Sequence, residues 1–564
     1  MVPPPSIQET AKGLNSCAAS ISAFTRGRTL SSRSTCCSGW VVVRVIKNIT
    51  RYSVIGAISF GLLSGCVTVG PDFEIPQAPS LAAWNADSKP ATRTKNGVTE
   101  RGQVSQRWWQ IFKDKDLNQL VHTAYRENLT LRAAGLRVYE ARAQLGIASG
   151  EQFPQSQQIA GGYSRDRIST NESVLRDINR VVPIDPTFHR WELGFDAGWE
   201  IDVWGKFRRN VQSAEANLLA QVANYDDVLV TLVGDVASTY VTIREAQRLI
   251  AIARTNAALQ KESLRISKIR FKDGATTELD VNEATALYNN TLAAIPKLQA
   301  DLAQAYNAMS LLIGKPPSDL RGVIRKRAGI PRAPAEVAIG VPAELLRRRP
   351  DIRAAEYTAA AQAAQIGVAQ ADLYPAFTIS GAIGVKASDF ALLFKGNSLA
   401  GFINPGFTWN VLNYGRIKNN VRAQDAKYQA LIANYKNTVL SAYSEVENGL
   451  VGYLKSKQEE VYLRRAAHAA GKAVKIANIQ YKQGSASYTR VLNTQTGLLR
   501  TQVKLANVRA QTATNLISVY KALGGGWFPA NVTDFVPERT KQEMEARTDW
   551  GDELQRSPVP EPSQ

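Results

Sequence analysis

The chain of 564 residues carries a formal charge of +19 at pH 7, and 8% of its residues are aromatic. Such a charge can mark a nucleic-acid-binding protein, but no basic run is interleaved with stacking aromatics, and a solvated face of long helices is the favoured interpretation. All four cysteines lie within residues 1–66, which excludes a disulfide framework for the rest of the chain.

Residues 44–66 have the pattern of a bacterial secretory signal that ends at a lipidation site. A basic segment, residues 44–51, precedes an apolar stretch that is too short for a spanning helix. The stretch ends in the tetrapeptide Leu63, Ser64, Gly65 and Cys66. This tetrapeptide resembles the lipobox of bacterial lipoproteins, which implies signal cleavage before Cys66 and a diacylglycerol thioether on its sulfur. Val67 follows where an Asp would favour retention in the inner membrane, so the resemblance implies sorting to the outer membrane.

Residues 1–40 do not fit this pattern, because a lipoprotein signal normally begins with its basic segment. We expect translation to begin near Val41 to Val43, so that residues 1–40 form an extension without a structural role and residues 41–65 form the signal peptide. Amino-terminal sequencing or mass spectrometry of the precursor that finds peptides from residues 1–40 would contradict this expectation.

After Cys66 the chain is predicted to form a linker and then the first of two structural units. The linker, residues 66–104, begins with the Pro-rich segment VTVGPDFEIPQAPS, which lacks periodicity and indicates an extended conformation. The first unit spans residues 105–315. It opens with a helix predicted over residues 116–149, and a weakly alternating stretch around residues 159–163 follows.

Residues 191–204, WELGFDAGWEIDVW, alternate strictly between apolar side chains and polar or glycine positions. This period of two predicts a long strand with one apolar and one polar face. The apolar face begins with Trp191 and includes Trp199. The polar face carries four carboxylates: Glu192, Asp196, Glu200 and Asp202.

A proline-free stretch from Gly205 to Lys272 follows the strand and predicts one helix of about 100 Å at 1.5 Å per residue. Apolar residues along it step by three and four positions, as in a coiled coil. The segment DGATTEL makes a turn, and a second helix is predicted to end at Leu312, before Gly314.

An internal repeat with an offset of 210 residues divides the chain into two similar units. Gly205 aligns with Gly415 and, at the far turn, Gly274 aligns with Gly484. The second unit, residues 350–526, contains its own helix, two alternating runs (FTISGAIGV and FINPGFTWNVLNYG) and a long helical hairpin. Two further segments complete the predicted domain organisation: an equatorial connector, residues 316–349, and a loosely ordered C-terminal tail, residues 527–564.

These elements predict a mainly α fold with a membrane β-barrel contribution. Four strands with an aromatic outer face cannot close a barrel alone, and open strand edges are not tolerated in lipid, so several protomers must contribute. In such a barrel the four acids face an aqueous lumen, and tryptophans supply lipid contact and the aromatic girdle: Trp191, Trp199, Trp204 and Trp409. A water-soluble sandwich is the alternative, but it explains neither the acids nor the long helices.

With the repeat, the lipobox and the order of strands and helices, roughly residues 66–525 resemble the TolC-like outer-membrane efflux proteins of the NodT-type lipoprotein branch. The resemblance depends on five segments in this order: GPDF, RWWQIFKDKDLNQL, LRAAGLRVYEARAQLGIASGEQFPQ, DVWGKFRRNV and LLRRRPDIRAAE. It implies a homotrimer with a joint twelve-stranded barrel in the outer membrane and an α-helical barrel across the periplasm. It also implies two protein partners, a periplasmic adaptor and an inner-membrane transporter of the RND or MFS type, which drives drugs or toxic metabolites through the conduit.

The resemblance further implies a passive channel that needs neither catalytic residues nor a cofactor. The only histidines, His122, His189 and His468, are isolated in the sequence, so no zinc site is expected. Neither a phosphate-binding GxxxxGK loop nor a GxSxG nucleophile elbow occurs in the sequence.

The functional residues are expected at the two far turns, RFKDGATTELD (270–280) and YKQGSASYTRVLN (481–493). In the family these tips form the periplasmic entrance, where side chains hold the pore shut until the adaptor engages. By position, the resemblance assigns gate or adaptor contact to Phe271, Lys272, Asp273, Gly274, Asp280, Tyr481, Lys482, Gly484, Tyr488, Thr489, Arg490 and Asn493. The alternative for any one of them is ordinary helix capping and turn chemistry.

One position departs from the family pattern. Many relatives carry an Asp in an LLDAQ-like stretch of the second hairpin, where a threefold ring of carboxylates can favour cations. This chain has VLNTQ with Asn493 at that point. If a ring forms here, it is uncharged at that level, so the cation selectivity of such relatives does not transfer directly to this chain.

Two other functions compete with efflux. A periplasmic coiled-coil scaffold or adaptor that binds partners without conducting would share the lipobox and the helices, but it has no use for paired amphipathic strands. An outer-membrane channel for type I protein secretion would keep the whole architecture and change only the cargo, which sequence alone separates poorly.

Overall fold

The structure of the chain is a computed structural model. It describes residues 68–79, 81, 84, 98–99, 106–172, 177, 181–183, 185–317, 320, 324, 329–334, 337–338, 348–526 and 535–555. Every described residue belongs to the part of the chain from Cys66 to Gln564. The predicted extension, the signal peptide with Leu63, Ser64 and Gly65, and the lipidation site Cys66 therefore lie outside the described residues.

Helices dominate the described part of the chain: α1 (Lys115–Glu127), α2 (Leu129–Gly150), α3 (Lys206–Lys272), α4 (Glu278–Leu312), α5 (Pro350–Ala371), α6 (Arg416–Lys482), α7 (Tyr488–Ala522) and α8 (Glu538–Glu545). The strands are β1 (Val98–Thr99), β2 (Ser156–Arg167), β3 (Thr187–Ile201), β4 (Val337–Ala338), β5 (Ala376–Ala387) and β6 (Leu399–Thr408). Within these described ranges, no helix combines the length and the apolar character needed to cross a bilayer.

The two long helical hairpins confirm the predicted repeat. α3 and α6 have 67 residues each, and α4 and α7 have 35 each. Gly205 and Gly415 precede the long helices with φ of 80° and 82°, values that glycine adopts without steric cost. Each unit therefore contains a hairpin of the same size that starts from the same kind of glycine turn.

The helix predicted over residues 116–149 is instead two helices, α1 and α2, which meet at Asn128. The side-chain oxygen of Asn128 accepts a hydrogen bond from Leu131 N at 2.8 Å, and its side-chain nitrogen donates to Leu312 O at 2.9 Å. Asn128 therefore caps the start of α2 and satisfies a carbonyl group at the end of α4. The apolar periodicity continues through the break because both short helices bury one face.

One antiparallel sheet contains the four long strands in the order β2-β3-β5-β6. Its register places Phe195 of β3 between Ile159 of β2 and Ile383 of β5, and it places Trp199 opposite Ile379. Residues that lie opposite each other share a face of the sheet. One face, which we call the apolar face, is therefore apolar along most of the strands, and the polar face carries Glu192, Asp196 and Glu200 as predicted.

β3 ends at Ile201 and not at Trp204, where the alternation predicts its end. The Asp202 carboxylate accepts hydrogen bonds from the backbone of Phe207 (3.2 Å) and Arg208 (3.0 Å), at the start of α3. Asp202 therefore interacts with the start of α3 and is not part of the sheet.

The second strand pair shows the same shortening. β6 ends at Thr408, so Trp409 and residues 410–414 lie beyond the sheet. Trp204, predicted as part of the girdle, donates from its indole nitrogen to Pro375 O at 2.8 Å. Its ring stacks on Tyr374 with centroids 4.7 Å apart. The side chain of Trp204 thus joins the β3–α3 junction to the segment between α5 and β5.

The main hydrophobic core lies where the short helices pack against the long ones. It includes Leu117 of α1, Tyr240 of α3 and Leu516 of α7, all fully buried. Trp108, from the segment RWWQIF, is also fully buried and stacks on Tyr520 with ring centroids 5.6 Å apart. Because the core contains residues of both units, it fixes the middle of one hairpin against the other.

The predicted extended linker is docked on both units where it is described. Val69 N donates to Trp204 O at 3.0 Å, and Arg209 donates to the carbonyl oxygens of Val69 (3.2 Å) and Gly70 (3.1 Å). Gly70 has a φ of 98° and lies against Gly367 of α5, where an added Cβ would come within 2.4 Å of the Gly367 Cα. Close approach of two glycines, which leaves no periodic signal in the sequence, holds this segment.

The tail, predicted as loosely ordered, is packed over residues 535–555. Phe535 is buried, α8 follows, and the Arg142 side chain of α2 lies 2.6 Å from a carboxylate oxygen of Glu553. Gly135 in α2 makes room, since a Cβ there would lie 2.2 Å from the Phe535 carbonyl oxygen. Composition predicts a loosely ordered tail because the segment is rich in charged residues, and it does not reveal the few residues that anchor the tail to α2.

Few residues of the predicted connector, 316–349, are described. In that part β4 pairs in parallel with β1 of the linker, with Val98 opposite Val337. The linker and the connector therefore meet in this short strand pair.

Candidate functional site

Both hairpins end in the same kind of turn. In the first turn Ala275 N donates to Arg270 O at 2.7 Å, and Gly274 N donates to Phe271 O at 3.0 Å. These two bonds define a Schellman motif, in which the left-handed position is usually glycine. The second turn has the same two bonds, with Gly484 in place of Gly274, and φ is 67° and 80° at the two glycines. The geometry explains why both turns contain glycine.

A small buried cluster lies next to the turns, and we call it the tip cluster: Ala284, Ala477, Tyr481, Tyr488 and Val491. The rings of Tyr481 and Tyr488 meet edge to face with centroids 5.5 Å apart, and both are at most 2% exposed. Burial raises the pKa of the Tyr488 hydroxyl, and the nearby Tyr481, Glu283 and Asp280 raise it further. The tip cluster is thus a buried contact among α4, α6 and α7.

Arg270, near the end of α3, attaches the first hairpin to the tip cluster. One guanidinium nitrogen donates to the Tyr481 carbonyl oxygen, and another donates to the Ala275 carbonyl oxygen at 3.3 Å. The guanidinium carbon lies 4.9 Å from the centroid of the Tyr481 ring, a position in which the ring face attracts a cation. One turn earlier, the Ser267 hydroxyl lies 3.0 Å from the Tyr481 hydroxyl. Tyr481 therefore receives three contacts from α3.

Five polar residues follow one face of α3 toward the tip at spacings of three and four, and we call them the polar seam: Asn256, Gln260, Ser263, Ser267 and Arg270. Asn256 Nδ2 donates to Gln502 Oε1 at 2.8 Å, and Gln495 Nε2 donates to Ser263 Oγ at 2.7 Å. The middle of α3 instead buries apolar residues such as Val236. Along the seam the two units are therefore joined by hydrogen bonds, which water can replace at small net cost, and the tip cluster adds a small buried contact.

The structure brings together only part of the predicted tip set. Tyr481 and Tyr488 form the tip cluster, and Asp280 accepts a hydrogen bond from Thr276 within its own turn. The remaining predicted tip residues are exposed at or beside the turns: Phe271, Lys272, Asp273, Gly274, Lys482, Gly484, Thr489, Arg490 and Asn493. The sequence prediction missed Arg270 and the rest of the polar seam, although Arg270 opens the stretch 270–280.

The acids on the polar face of the sheet differ in their surroundings. Glu192 lies 3.4 Å from Lys386 of β5, and Glu200 lies 3.8 Å from Lys206. Asp196, midway along β3, lies opposite a glutamine and an alanine. Among the strand residues that the structure describes, no basic side chain offsets the charge of Asp196.

Asp202 was predicted to lie on this polar face, and that prediction is wrong. It follows the last residue of β3, and its carboxylate also accepts a hydrogen bond from the Arg208 side chain at 3.1 Å. A carboxylate at a helix N-terminus satisfies free N–H groups and interacts favourably with the helix dipole. Asp202 therefore joins β3 to α3 and does not line the polar face.

The apolar face of the sheet has aromatic residues at both margins. At the margin next to the helices, the indole nitrogens of Trp199 and Trp409 donate to backbone carbonyl oxygens at 3.2 Å and 3.0 Å. At the far margin Trp191 contacts Tyr163 and Phe390, with ring centroids 4.5 Å and 5.1 Å away. Between the margins several apolar side chains are exposed in the single chain: Ile159, Phe195, Ile383, Ile403 and Phe407. Aromatic margins around an apolar band are typical of a membrane-facing surface.

Across the described ranges, no three His, Cys, Asp or Glu residues come together in a way that could hold a metal ion. His189 is placed at the far margin of the apolar face, where its Nδ1 lies 2.7 Å from the Tyr163 hydroxyl.

Comparison with known proteins gives the relatives of this chain. The family model described as "Outer membrane efflux protein" matches residues 120–315 and 341–525. Nodulation protein T of Rhizobium leguminosarum bv. trifolii is 31% identical over 469 residues, which cover 83% of this chain and 96% of that protein. The solvent efflux pump outer membrane protein SrpC of Pseudomonas putida is 30% identical, and the match covers 83% of this chain and 96% of that protein.

A solved structure with the same fold supports the assignment. The outer-membrane channel OprN has a TM-score of 0.74 and 30% sequence identity, and the match covers 81% of this chain and 99% of that chain. The family model matches both repeat units, and the relatives align over nearly their whole length. The chain therefore belongs to the outer membrane efflux protein family.

Proposed function

We propose that three copies of this chain form the exit duct of a tripartite efflux pump, which conducts drugs or other toxic small molecules passively across the outer membrane. The observation that carries the proposal is the four-stranded sheet, with an exposed apolar face and a polar face, joined directly to long helical hairpins. In a bilayer, the backbone hydrogen-bonding groups of such a sheet are all satisfied only when the sheet is part of a closed barrel. The relative SrpC is the outer membrane protein of a solvent efflux pump, which supports a small-molecule cargo.

The edges of the sheet support assembly from three copies. β2 and β6 are the edge strands, and each pairs with a neighbour on one side only. The four strands have 12, 15, 12 and 10 residues, and a tilted strand of about 9–11 residues crosses a bilayer. If β6 of one copy pairs with β2 of the next, three copies close a twelve-stranded barrel without a free edge, which is the requirement for a sheet in lipid.

The hairpin tips are proposed as the periplasmic entrance. The tip cluster and Arg270 hold the first hairpin against the second, and exposed residues of both charges surround the turns, among them Lys272, Asp273 and Arg490. A periplasmic adaptor that engages these exposed turns would compete with the tip contacts and widen the entrance. An inner-membrane transporter of the RND or MFS type would supply the energy, since the duct itself performs no chemistry.

Cys66 is proposed as the lipid attachment site that holds each copy at the membrane. Thr68 contacts Gly205 at the junction of β3 and α3, where an added Cβ would lie 2.7 Å from the Thr68 side chain. A lipid on Cys66 would therefore be attached two residues before a segment that packs at this junction. Mass spectrometry of the mature chain is expected to find a lipidated amino-terminal cysteine, and an unmodified Cys66 would contradict the attachment.

The proposed function is tested by single-channel recording of the detergent-extracted protein in a planar bilayer, together with the native mass of the complex. We expect discrete current steps from a particle of three chains. A protein that leaves the membrane without detergent and never conducts would instead be a lipid-anchored scaffold. If the trimer conducts, but a strain without the gene loses protein export and keeps its drug susceptibility, the channel serves type I secretion.

Replacing Asp196 with asparagine is expected to reduce the preference of the channel for cations. In a trimer the polar face would carry three such carboxylates at one level, and no neighbouring base in the described sheet offsets them. At about 0.01 M salt the Debye length is roughly 30 Å, so these charges act across the lumen. The reversal potential under a KCl gradient measures the effect, and it should move toward that of an unselective pore.

The matched control for this prediction removes a neutral ion pair from the same face. Glu192→Gln combined with Lys386→Gln deletes the 3.4 Å pair beside Asp196 without changing the net charge. The reversal potential of this double variant should equal that of the wild type. An unchanged reversal potential in Asp196→Asn would show that selectivity is set elsewhere in the duct.

A further inference from the structure

The apolar face of the sheet carries charged side chains at one end only. Beyond Trp191 at the far margin, the register places Arg165 opposite His189 and Arg167 opposite Thr187, all on this face. Both arginines and the histidine are exposed. The other positions of this face in the four strands are uncharged, so its charge is basic and confined to the end away from the helices.

Two acids close to these arginines in the strand pair and its loop interact with other groups. Asp166, between them in the sequence, lies on the polar face and accepts a hydrogen bond from the Ser164 hydroxyl at 2.9 Å. Asp185, in the adjoining loop, accepts a hydrogen bond from Thr187 N at 2.9 Å. No ion pair joins either arginine to an acid among the residues that the structure describes, and two positions along a strand are only about 7 Å apart. An anion bound between the two guanidinium groups would offset the repulsion between these like charges.

We propose that Arg165, Arg167 and His189 bind the phosphate group of an anionic lipid headgroup in the outer leaflet. This proposal rests on one part of the proposed function, namely that the apolar face contacts lipid. The site lies just beyond the aromatic margin, at the level where headgroups meet the apolar band of a membrane barrel. Arginine suits the site because its planar fork binds phosphate oxygens with two parallel hydrogen bonds, and its stem lies along apolar surface.

The neighbouring aromatic residues favour a lipid over free phosphate. The Tyr163 and His189 rings stack with centroids 5.9 Å apart, and Tyr163 also contacts Trp191. Next to this group the apolar face continues with Ile159 and Leu193, both exposed in the single chain. A headgroup held by the arginines would therefore lay its acyl chains along this surface, whereas free phosphate gains nothing from it.

The test is native mass spectrometry of the full-length protein after incubation with lipid A that carries two phosphates, or with the same lipid after removal of both phosphates. The wild type is expected to retain the phosphorylated lipid. The double variant Arg165→Gln, Arg167→Gln should retain it about tenfold less, since each basic residue near the surface contributes to holding an anionic headgroup. Arg190→Gln is the matched control, because Arg190 is exposed at the same end of β3 but on the polar face, and its retention should equal that of the wild type.

Three results would overturn the lipid site: equal retention by the double variant and the wild type, equal retention of the two lipids, or the same loss in Arg190→Gln. Binding of inorganic phosphate alone, with the affinity of the lipid, would make free phosphate the occupant. Arg165→Lys and Arg167→Lys, which keep the charge, replace the double variant if it does not assemble, and each should show partial loss. If the wild type retains the lipid but does not conduct, the proposed function as an efflux duct is wrong. If it conducts but does not retain the lipid, only the proposed lipid site is wrong.

Discussion

Replacing Arg270 with alanine is expected to raise the open probability of the channel by about tenfold or more, because hydrogen bonds from a charged donor contribute roughly 1.5–3 kcal/mol each. Arg270 is the charged residue of α3 that contacts the tip cluster. It donates to the carbonyl oxygens of Tyr481 and Ala275, and it lies over the Tyr481 ring. Alanine removes all three contacts, so that Ser267 is left as the α3 residue hydrogen-bonded to Tyr481.

Single-channel recordings of the wild type and the variants in one bilayer composition measure this effect. Arg265→Ala is the matched control on the same helix, because the Arg265–Glu262 pair, with N···O of 2.8 Å, has side chains 60% and 48% exposed. Exposed pairs of this kind contribute little, so this variant should behave as the wild type. If Arg270→Ala and Arg265→Ala have the same open probability, Arg270 does not hold the tip closed.

A third variant, Arg270→Lys, separates charge from geometry. Lysine keeps the positive charge near the Tyr481 ring but lacks the planar fork that reaches two carbonyl oxygens. We expect an open probability between those of the wild type and Arg270→Ala. An effect as large as that of alanine would show that the hydrogen bonds, and not the charge, hold the tip.

The polar seam would let the proposed entrance widen while the rest of the hairpin stays fixed. Separating an apolar contact exposes surface at a cost of about 25 cal/mol per Å², whereas water satisfies the groups of a separated hydrogen bond. The middle of α3 is held by the main core, around Tyr240 and Val236, whereas the last turns are held by the seam and by the small tip cluster. Opening is therefore expected to bend the hairpin near the tip without disturbing the core.

The long helices, the repeat and the two faces of the sheet could be predicted from the sequence because each leaves a periodic signal. A proline-free run with coiled-coil spacing defines α3, and the constant offset then defines α6. A period of two separates Trp191 and Phe195 from Glu192 and Asp196. These signals arise from burial of one side of an element, which many residues share.

Other features depend on one or two residues, and periodicity does not detect them. Asp202 continues the alternation of β3 in the sequence, yet its carboxylate accepts hydrogen bonds at the start of α3. An aspartate suits both a polar strand position and a helix cap, so the pattern alone does not distinguish them. Asn128 interrupts a helix without interrupting the apolar pattern. Close contacts such as Gly135 with Phe535 involve backbone atoms of distant segments, which the sequence alone does not place together.

The tip shows the same limit at the functional site. Its turns could be predicted from Gly274 and Gly484 and their place in the repeat. Arg270 could not, because its role depends on the ring across from it in α6, and the equivalent position in the second unit is Gln480. The two repeat units therefore differ at the position where the first unit contacts the second. An alignment of the two units does not show which of them makes the contact.

Replacing Arg244 with methionine is expected to destabilise the protein by about 3–5 kcal/mol, the usual cost of leaving one partner of a buried ion pair alone. Arg244 in α3 lies 2.9 Å from an Asp116 carboxylate oxygen, and their side chains are 0% and 6% exposed. The guanidinium also donates to the Tyr240 hydroxyl at 2.9 Å, which donates to Asp114 at 2.7 Å. Methionine fills a similar volume, so the loss comes mainly from the carboxylate left buried without its cation.

Urea unfolding of the purified assembly, at equal protein concentration for all variants, measures the loss. Arg248→Met is the matched control, because Arg248 lies one turn farther along α3 and is exposed, and surface substitutions usually change stability by less than about 0.5 kcal/mol. Arg244→Met with Asp116→Leu removes both charges and should recover most of the stability, since a buried pair replaced by apolar residues is often neutral. If Arg244→Met is as stable as Arg248→Met, water reaches the carboxylate, and α1 is not fixed to α3 by this pair. If Arg244→Met is destabilised and the double variant regains the wild-type stability, the ion pair adds no net stability over apolar residues. Its role is then to fix the position of α1 against the hairpin.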